Sequence, residues 1–204
     1  MNRKQYTTEL IDLLYFCEQY SAGKKVLDCG AGGSYPKLAL FGDKDYELYG
    51  IDSDDDALQS AHQFAQLNQI EMNFKKADIR SIPYPDNHFD VVYSYNTIFH
   101  MKKIEIKKAV DEIIRILKPG GIGFINFIDI NDDIHKTDTE DEPGEYVSSG
   151  DGYDIIHTLL SEDECEAMLS GVKILEKQQK YITRLNIDQP YKYGFLDYFF
   201  QKES

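Results

Sequence analysis

Positive charge is what this chain of 204 residues has least of. Lys and Arg number 22 against 36 Asp and Glu, a formal net charge of −14. Non-specific binding to a phosphate backbone depends on basic contacts, so this balance disfavours nucleic acid as a partner. Cysteine is also sparse. Cys17, Cys29 and Cys165 form no Cys-x-x-Cys pair and are odd in number. That argues against a disulfide framework and a thiolate zinc site, and fits a reducing cytoplasm. No apolar run approaches the roughly 20 residues that a membrane helix needs. The opening MNRKQYTTELIDLLYF is too polar for a signal peptide. Repeats and low-complexity tracts are absent. A cytoplasmic protein with no membrane span is expected.

What is present suffices for a real core. Hydrophobic residues make up 42%, and chains usually divide only beyond about 250–300 residues, so one domain over residues 1–204 is expected. Apolar positions Tyr6, Leu10, Leu13, Leu14 and Cys17 have helical spacing within residues 1–22. Short apolar runs then alternate with helical stretches. Strands are expected at Lys25–Cys29, Tyr46–Ile51, Glu71–Lys76, Phe89–Tyr95 and Ile122–Ile128. Helices are expected at Pro36–Phe41, from a Ser53 cap to Asn68, and from Ile104 to Leu117, where LKPGG stops the last. A polar stretch, Asp129–Asp154, follows, then a helix capped by Ser161. Two final strands lie near Lys173–Arg184 and Tyr191–Gln201. Their connection, Leu185–Pro190, is too short for a parallel crossover and requires an antiparallel hairpin. The fold class is α/β: a doubly wound, mostly parallel seven-stranded sheet with a C-terminal antiparallel hairpin.

In such sheets ligands bind beyond the C-terminal ends of the strands. The first of these ends is the loop KVLDCGAGGSYP, Lys25–Pro36. Glycines there let a backbone approach a ligand closely, though a tight strand–helix turn has the same composition. Asp52 closes the second strand, twenty residues after Gly32. A carboxylate there can accept hydrogen bonds from both hydroxyls of a ribose; an ordinary helix-start Asp is the plainer alternative. Together the two features point to an adenosine-containing cofactor. The dinucleotide fingerprint Gly-x-Gly-x-x-Gly fails, because its third glycine would fall at Tyr35, a bulky residue where the fingerprint needs a close helix–strand contact.

The loop resembles the Asp-x-Gly-x-Gly-x-Gly signature of class I S-adenosylmethionine-dependent methyltransferases. Asp28, Gly30 and Gly32 match it; Ser34 replaces the last glycine, with Gly33 one residue earlier. The resemblance extends over about residues 24–202. Asp52 looks like the family's ribose-binding acid. Asp78 and Ile79 look like its adenine contacts. The stretch IPYPDNHFDVVYSYNTIFHM, Ile82–Met101, resembles its fourth-strand motif, with Ser94 and Tyr95 where the strand passes the cofactor. LKPGG and HTLLSEDECEAMLSG also suit it, nearest the small-molecule branch called type 11. The resemblance implies a Rossmann-like fold, S-adenosylmethionine as cofactor and S-adenosylhomocysteine as product. It implies a cofactor site of Asp28, Cys29, Gly30, Ala31, Gly32, Asp52, Ser53, Asp78, Ile79 and Ser94. Absence of an Asn-Pro-Pro-Tyr motif at Tyr93–Asn96 argues against an amino-nitrogen methylase of adenine, cytosine or glutamine. A small-molecule acceptor is expected.

The acceptor's proton needs a destination if it sits on O or N. His100 is the first candidate base and Tyr95 the second; a helix-start residue and a pocket wall are the plainer readings. The Asp129–Asp154 loop falls at the ligand-binding edge, and long loops inside domains are often lids. It is expected to cover the acceptor, its carboxylates and Tyr146 favouring a cationic or neutral one. A calcium-loop reading of Asp129, Asn131, Asp133 and Glu140 fails at position 6, which is Ile134 rather than Gly. No metal site is expected. Two alternatives remain beside catalysis: a cofactor-binding sensor or complex subunit without turnover, and a nicotinamide-dependent oxidoreductase.

Overall fold

The structure, a computed structural model, describes residues 7–20, 22–133, 135–150, 153–185 and 191–203. Helix α1 (Thr8–Gln19) buries Leu10, Leu13, Leu14, Phe16 and Cys17; its expected start at Tyr6 lies outside the described residues. Strand β1 (Lys25–Cys29) has the expected bounds, because an apolar run there is fenced by Lys and Gly. A 3-10 helix (Lys37–Lys44) follows, then β2 (Glu47–Asp52), α2 (Asp55–Asn68), β3 (Asn73–Lys76) and β4 (Phe89–Ser94). Helix α3 (Lys103–Ile116) leads straight into β5 (Leu117–Asp129).

The parallel part of the sheet has the order β3-β2-β1-β4-β5. The chain therefore winds outward from β1 in one direction and returns to β1's other edge with β4. Asp28 at the heart of β1 pairs with Gly50 on one side and Tyr93 on the other. This reversal of strand order is where open α/β sheets bind ligands. Helices cover both faces. One core packs Ile106, Val110, Ile113 and Ile116 of α3 on Leu27, Val92 and Ile125. The opposite core packs α1 and the 3-10 helix, through Leu13 and Phe41, on Val26, Tyr93 and Phe124.

Strands β9 (Val172–Arg184) and β10 (Tyr191–Lys202) form the expected antiparallel pair, and β10 lies antiparallel against β5. The connection at 186–190 lies outside the described residues. Helix α4 (Glu162–Met168) starts with a reciprocal capping box between Ser161 and Glu164. The α2 cap differs from expectation. It is Asp54, not Ser53, whose side chain accepts from the Asp56 and Ala57 N–H groups, since Asp54 stands at the last extended residue.

The largest correction concerns Asp129–Asp154. It is not structureless. Strands β6 (Thr139–Glu142) and β7 (Glu145–Gly150) form a hairpin, and β7 pairs antiparallel with β8 (Tyr153–Leu160). The sheet has ten strands among the described residues, not seven. The end of β8 pairs with β5 at Ile128 and Asp129. Because β10 occupies one edge of β5 through Ile128, β8 must lie on the other, beyond the end of β4. The extension thus stands at the ligand-binding edge. Tyr146 does not face a ligand: it is buried with Phe99, Ile128 and Leu159 in a small core of its own. Ile134 lies outside the described residues. No helix among the described residues is long and apolar enough to cross a membrane.

Candidate active site

Four loops meet above the strand-order reversal and enclose a cleft of about 330 Å³. Gly30 comes from the loop after β1, Asp52 and Ser53 from β2, Asp78, Ile79 and Arg80 from β3, and Thr97, His100 and Met101 from β4. Sequence reasoning named five of these as cofactor contacts: Gly30, Asp52, Ser53, Asp78 and Ile79. Asp28, Cys29, Ala31 and Ser94 are buried, and neither they nor Gly32 line the cleft. The buried Ser94 hydroxyl makes no hydrogen bond. Arg80, Thr97 and Glu105 were not anticipated.

The loop after β1 is tied inward. The Gly30 and Ala31 N–H groups both donate to the Ile51 carbonyl, and Gly33 N–H donates to Ala57. Gly32 N–H donates to Asp52 Oδ2 at 2.9 Å. Its four consecutive N–H groups are therefore all used within the protein. A pyrophosphate is cradled by free N–H groups at such a turn, so this loop suits a ligand without phosphates. Tyr35 does not exclude a dinucleotide for the expected reason. It is 62% exposed, resting edge-on against Phe64, because the chain enters a 3-10 helix only at Lys37. The backbone constraint is real at Gly30 (φ 101°), where a Cβ would lie 2.1 Å from Thr97 Oγ1. Gly33 shares that φ but faces open space, and so supplies the turn freedom that Ser34 cannot.

Asp52 is held by two backbone donors, Gly32 to Oδ2 and Asp54 to Oδ1 at 3.0 Å. Each carboxylate oxygen retains a second acceptor site, so a ribose diol at the cleft can be received. Asp78 is more heavily engaged. Arg80 donates to it from its backbone N–H and from Nε and Nη2, at 2.6–3.0 Å. The Arg80 hydrogen bonds hold the Asp78 carboxyl below its ordinary value. Arg80 also pairs with Glu105. Three carboxylates against one guanidinium leave the cleft anionic, which suits a cationic ligand. Beneath it, Asp28 accepts from Tyr93 Oη at 2.8 Å. Burial, aided by the Asp52 charge, pushes Asp28 up to about 7.

The two candidate bases stand apart. His100 lines the cleft. One side of its ring is open to solvent. The other packs on Phe99 and His157, and that burial lowers its pKa. Its Nδ1 lies 3.3 Å from the Ile156 carbonyl of β8. His157 packs in turn against the tilted ring of His135 at 4.2 Å between centroids, and His135 Nδ1 lies 2.9 Å from Asp132. Burial, with His135 and His100 nearby, brings His157 down to about 4. Tyr95 lines a second cavity of about 220 Å³ with Glu9, Lys180 and Asp197. Its hydroxyl is raised by burial. Between the two cavities, Asn96 adopts φ 55° and is clasped by Asn126: Asn96 N–H donates to Oδ1 at 2.8 Å, and Asn126 Nδ2 donates back at 2.7 Å.

Residues 27–125 match a family model described as "Methyltransferase domain" of type 11. A sterol 24-C-methyltransferase of Aspergillus fumigatus is 34% identical over 104 residues, 49% of this chain and 26% of that protein. A phosphoethanolamine N-methyltransferase of Triticum aestivum is 35% identical over 116 residues, 56% of this chain and 22% of that protein. The chain thus spans about a quarter or less of these two relatives' length. A SAM-dependent methyltransferase structure from Methanosarcina mazei superposes with a TM-score of 0.75 at 21% identity, covering 92% of this chain and 97% of that one. The YcgJ protein of Bacillus subtilis gives a TM-score of 0.70 at 20% identity, covering 96% and 99%. These two similarities show the fold.

Proposed function

We propose that this chain is a class I S-adenosylmethionine-dependent methyltransferase of the type 11 branch, the family whose model residues 27–125 match, and that it transfers a methyl group to a small-molecule acceptor. The observation that carries the reading is Asp52. It is a carboxylate oriented by two backbone donors at the rim of an anionic cleft. In this reading Asp52 and Ser53 hold the ribose, and Asp78 and Ile79 face the adenine. Gly30, Ala31 and Gly32 shape the wall against the amino-acid end, backed by Asp28, Cys29 and Ser94.

The cofactor, when bound, supplies a methyl group already activated on a sulfonium. What the chain contributes is alignment, and effective molarities of roughly 10⁵ M or more show how much rate alignment alone provides. His100 suits proton acceptance from an acceptor at the cleft mouth, because its lowered pKa keeps it neutral near pH 7. Tyr95, whose hydroxyl keeps its proton, serves as a wall and a hydrogen-bonding group. The β6–β8 extension closes the cleft on the His100 side, since the Ile156 carbonyl and His157 bear on His100.

The test is transfer itself. Methyl-labelled S-adenosylmethionine, supplied with a mixture of small amines, alcohols and phenols, is expected to give labelled product and S-adenosylhomocysteine in equal amounts. His100→Ala should lower kcat more than it raises the KM for the cofactor. Tight S-adenosylhomocysteine binding with no transfer to any acceptor in the mixture would overturn the catalytic reading.

A further inference from the structure

The second cavity contains a cluster of charged side chains from three distant parts of the chain: Glu9, Lys180 and Asp197. Asp197 lies in the middle of β10, opposite Asn126 of β5. It is 1% exposed, between neighbours Leu196 and Tyr198 that are fully buried. Its Oδ2 is ion-paired with the Lys180 ammonium at 2.9 Å, and the same ammonium donates to Glu9 of α1 at 3.0 Å. One ammonium is thus shared by two carboxylates, and buried charge that is not fully matched costs free energy.

The surroundings say what would satisfy it. Glu9 and Asp197 carry two negative charges against one on Lys180, so the cavity holds an excess negative charge. Its walls include Tyr95, Tyr193 and Phe195, and the Tyr193 and Phe195 rings lie parallel to within 10°. Aromatic faces beside two carboxylates that share one ammonium attract a cation with an apolar body. At about 220 Å³ the cavity is smaller than the roughly 300–1,000 Å³ of pockets that enclose drug-sized ligands. A large polycyclic molecule does not fit within it. Position matters as well. Tyr95 and Asn96 line this cavity and Thr97 lines the cofactor cleft, so the two spaces meet at one turn, held still by the Asn96–Asn126 clasp.

We propose that this cavity is the acceptor pocket, and that it takes a small amine whose ammonium is received by Asp197 and Glu9 and whose apolar body lies against Tyr95, Tyr193 and Phe195. The proposal rests on the methyltransferase reading above and adds the acceptor's chemical class. Asp197 and Glu9 bind and orient the ammonium; for transfer it gives one proton to a carboxylate or to solvent, the freed nitrogen lone pair forms the bond to the methyl carbon, and the carbon–sulfur bond breaks with its electron pair left on S-adenosylhomocysteine.

The probe is 2-phenylethylamine, titrated calorimetrically into the protein saturated with S-adenosylhomocysteine. 2-Phenylethanol and phenylacetate serve as neutral and anionic counterparts of similar size. The amine is expected to bind at least about tenfold more tightly than either, and Asp197→Asn is expected to remove about tenfold or more of that affinity, as loss of a charge-assisted hydrogen bond does. Glu9→Gln, at a half-buried position on α1, should weaken amine binding severalfold and keeps the test open if Asp197→Asn fails to fold. S-adenosylhomocysteine affinity should stay within twofold in both variants. No preference for the amine, or amine affinity unchanged in both variants, overturns the proposal. Failure of the wild-type protein to bind S-adenosylhomocysteine would instead strike the underlying methyltransferase reading.

Discussion

The two cavities that flank the end of β4 are assembled in different ways. The cleft takes nearly all its residues from the ends of the parallel strands β1 to β4, each within a few positions of its strand. The second cavity joins α1, β5, β9 and β10, so that the Lys180–Glu9 bond closes over 171 residues. The first is a property of strand ends and can be read locally. The second exists only once the hairpin has folded back on β5. Their polar groups differ accordingly: Asp52 is oriented by neighbouring backbone N–H groups, whereas Asp197 depends on a side chain from another strand.

If this contrast is sound, perturbing the cleft should alter cofactor binding, and perturbing the distant elements should not. The largest effect is expected at Asp28. Its carboxyl is raised from 3.8 to about 7 in the folded protein, so the native state holds a proton that the unfolded chain releases. Stability without ligand is then complete below about pH 4 and falls as pH rises towards 7. Asp28→Asn should cancel that fall. At pH 8 it should be more stable than wild type by on the order of 3–4 kcal/mol, as measured by denaturant unfolding across pH. Next, Gly30→Ala should cost about 3 kcal/mol, since both φ 101° and contact with Thr97 oppose a Cβ; melting and S-adenosylhomocysteine titration should both register it.

His157 in the extension should show the opposite pH sign to Asp28. Its folded pKa is down at about 4, so below the ordinary imidazole value the unfolded chain binds a proton that the folded one does not. Stability contributed there is lost as pH falls from about 6.5 towards 4. His157→Leu should flatten this acid limb and leave S-adenosylhomocysteine affinity unchanged. The smallest effect is expected for Gly33→Ala. It meets the same backbone strain as Gly30 but open space, so about 1 kcal/mol is expected. An equal loss at both glycines would show that backbone strain alone, and not the Thr97 contact, shapes the loop.

The same contrast explains what the sequence disclosed. Strand β1 is legible to the residue, and Asp52 and Asp78 can be placed at the cleft because one closes β2 and the other follows β3 by two residues. The extension was read as a loop because TEDE in β6 is exposed at every position and offers no alternation of apolar and polar residues. What makes it a strand is pairing with β7, a tertiary fact. Tyr146 was misjudged for the same reason: its burial depends on Phe99, Ile128 and Leu159 arriving from three other segments. Tyr35 was given a helix–strand contact that a later-starting 3-10 helix does not make. Arg80 carried no positional signal, and its grip on Asp78 depends on side-chain geometry. Asp197 and Lys180 sat in an unremarked terminal hairpin, where a charged residue on a strand ordinarily faces water.

The cleft's identity rests on Asp52, and one titration addresses it most directly. S-adenosylhomocysteine should bind the wild-type protein and bind Asp52→Ala about 5- to 150-fold more weakly, the equivalent of about 1–3 kcal/mol for ribose hydroxyls left without a partner. NAD, whose pyrophosphate finds the Gly30–Gly33 N–H groups already engaged, should give no measurable heat. An unchanged S-adenosylhomocysteine affinity in Asp52→Ala, or tighter binding of NAD by the wild-type protein, would contradict the account.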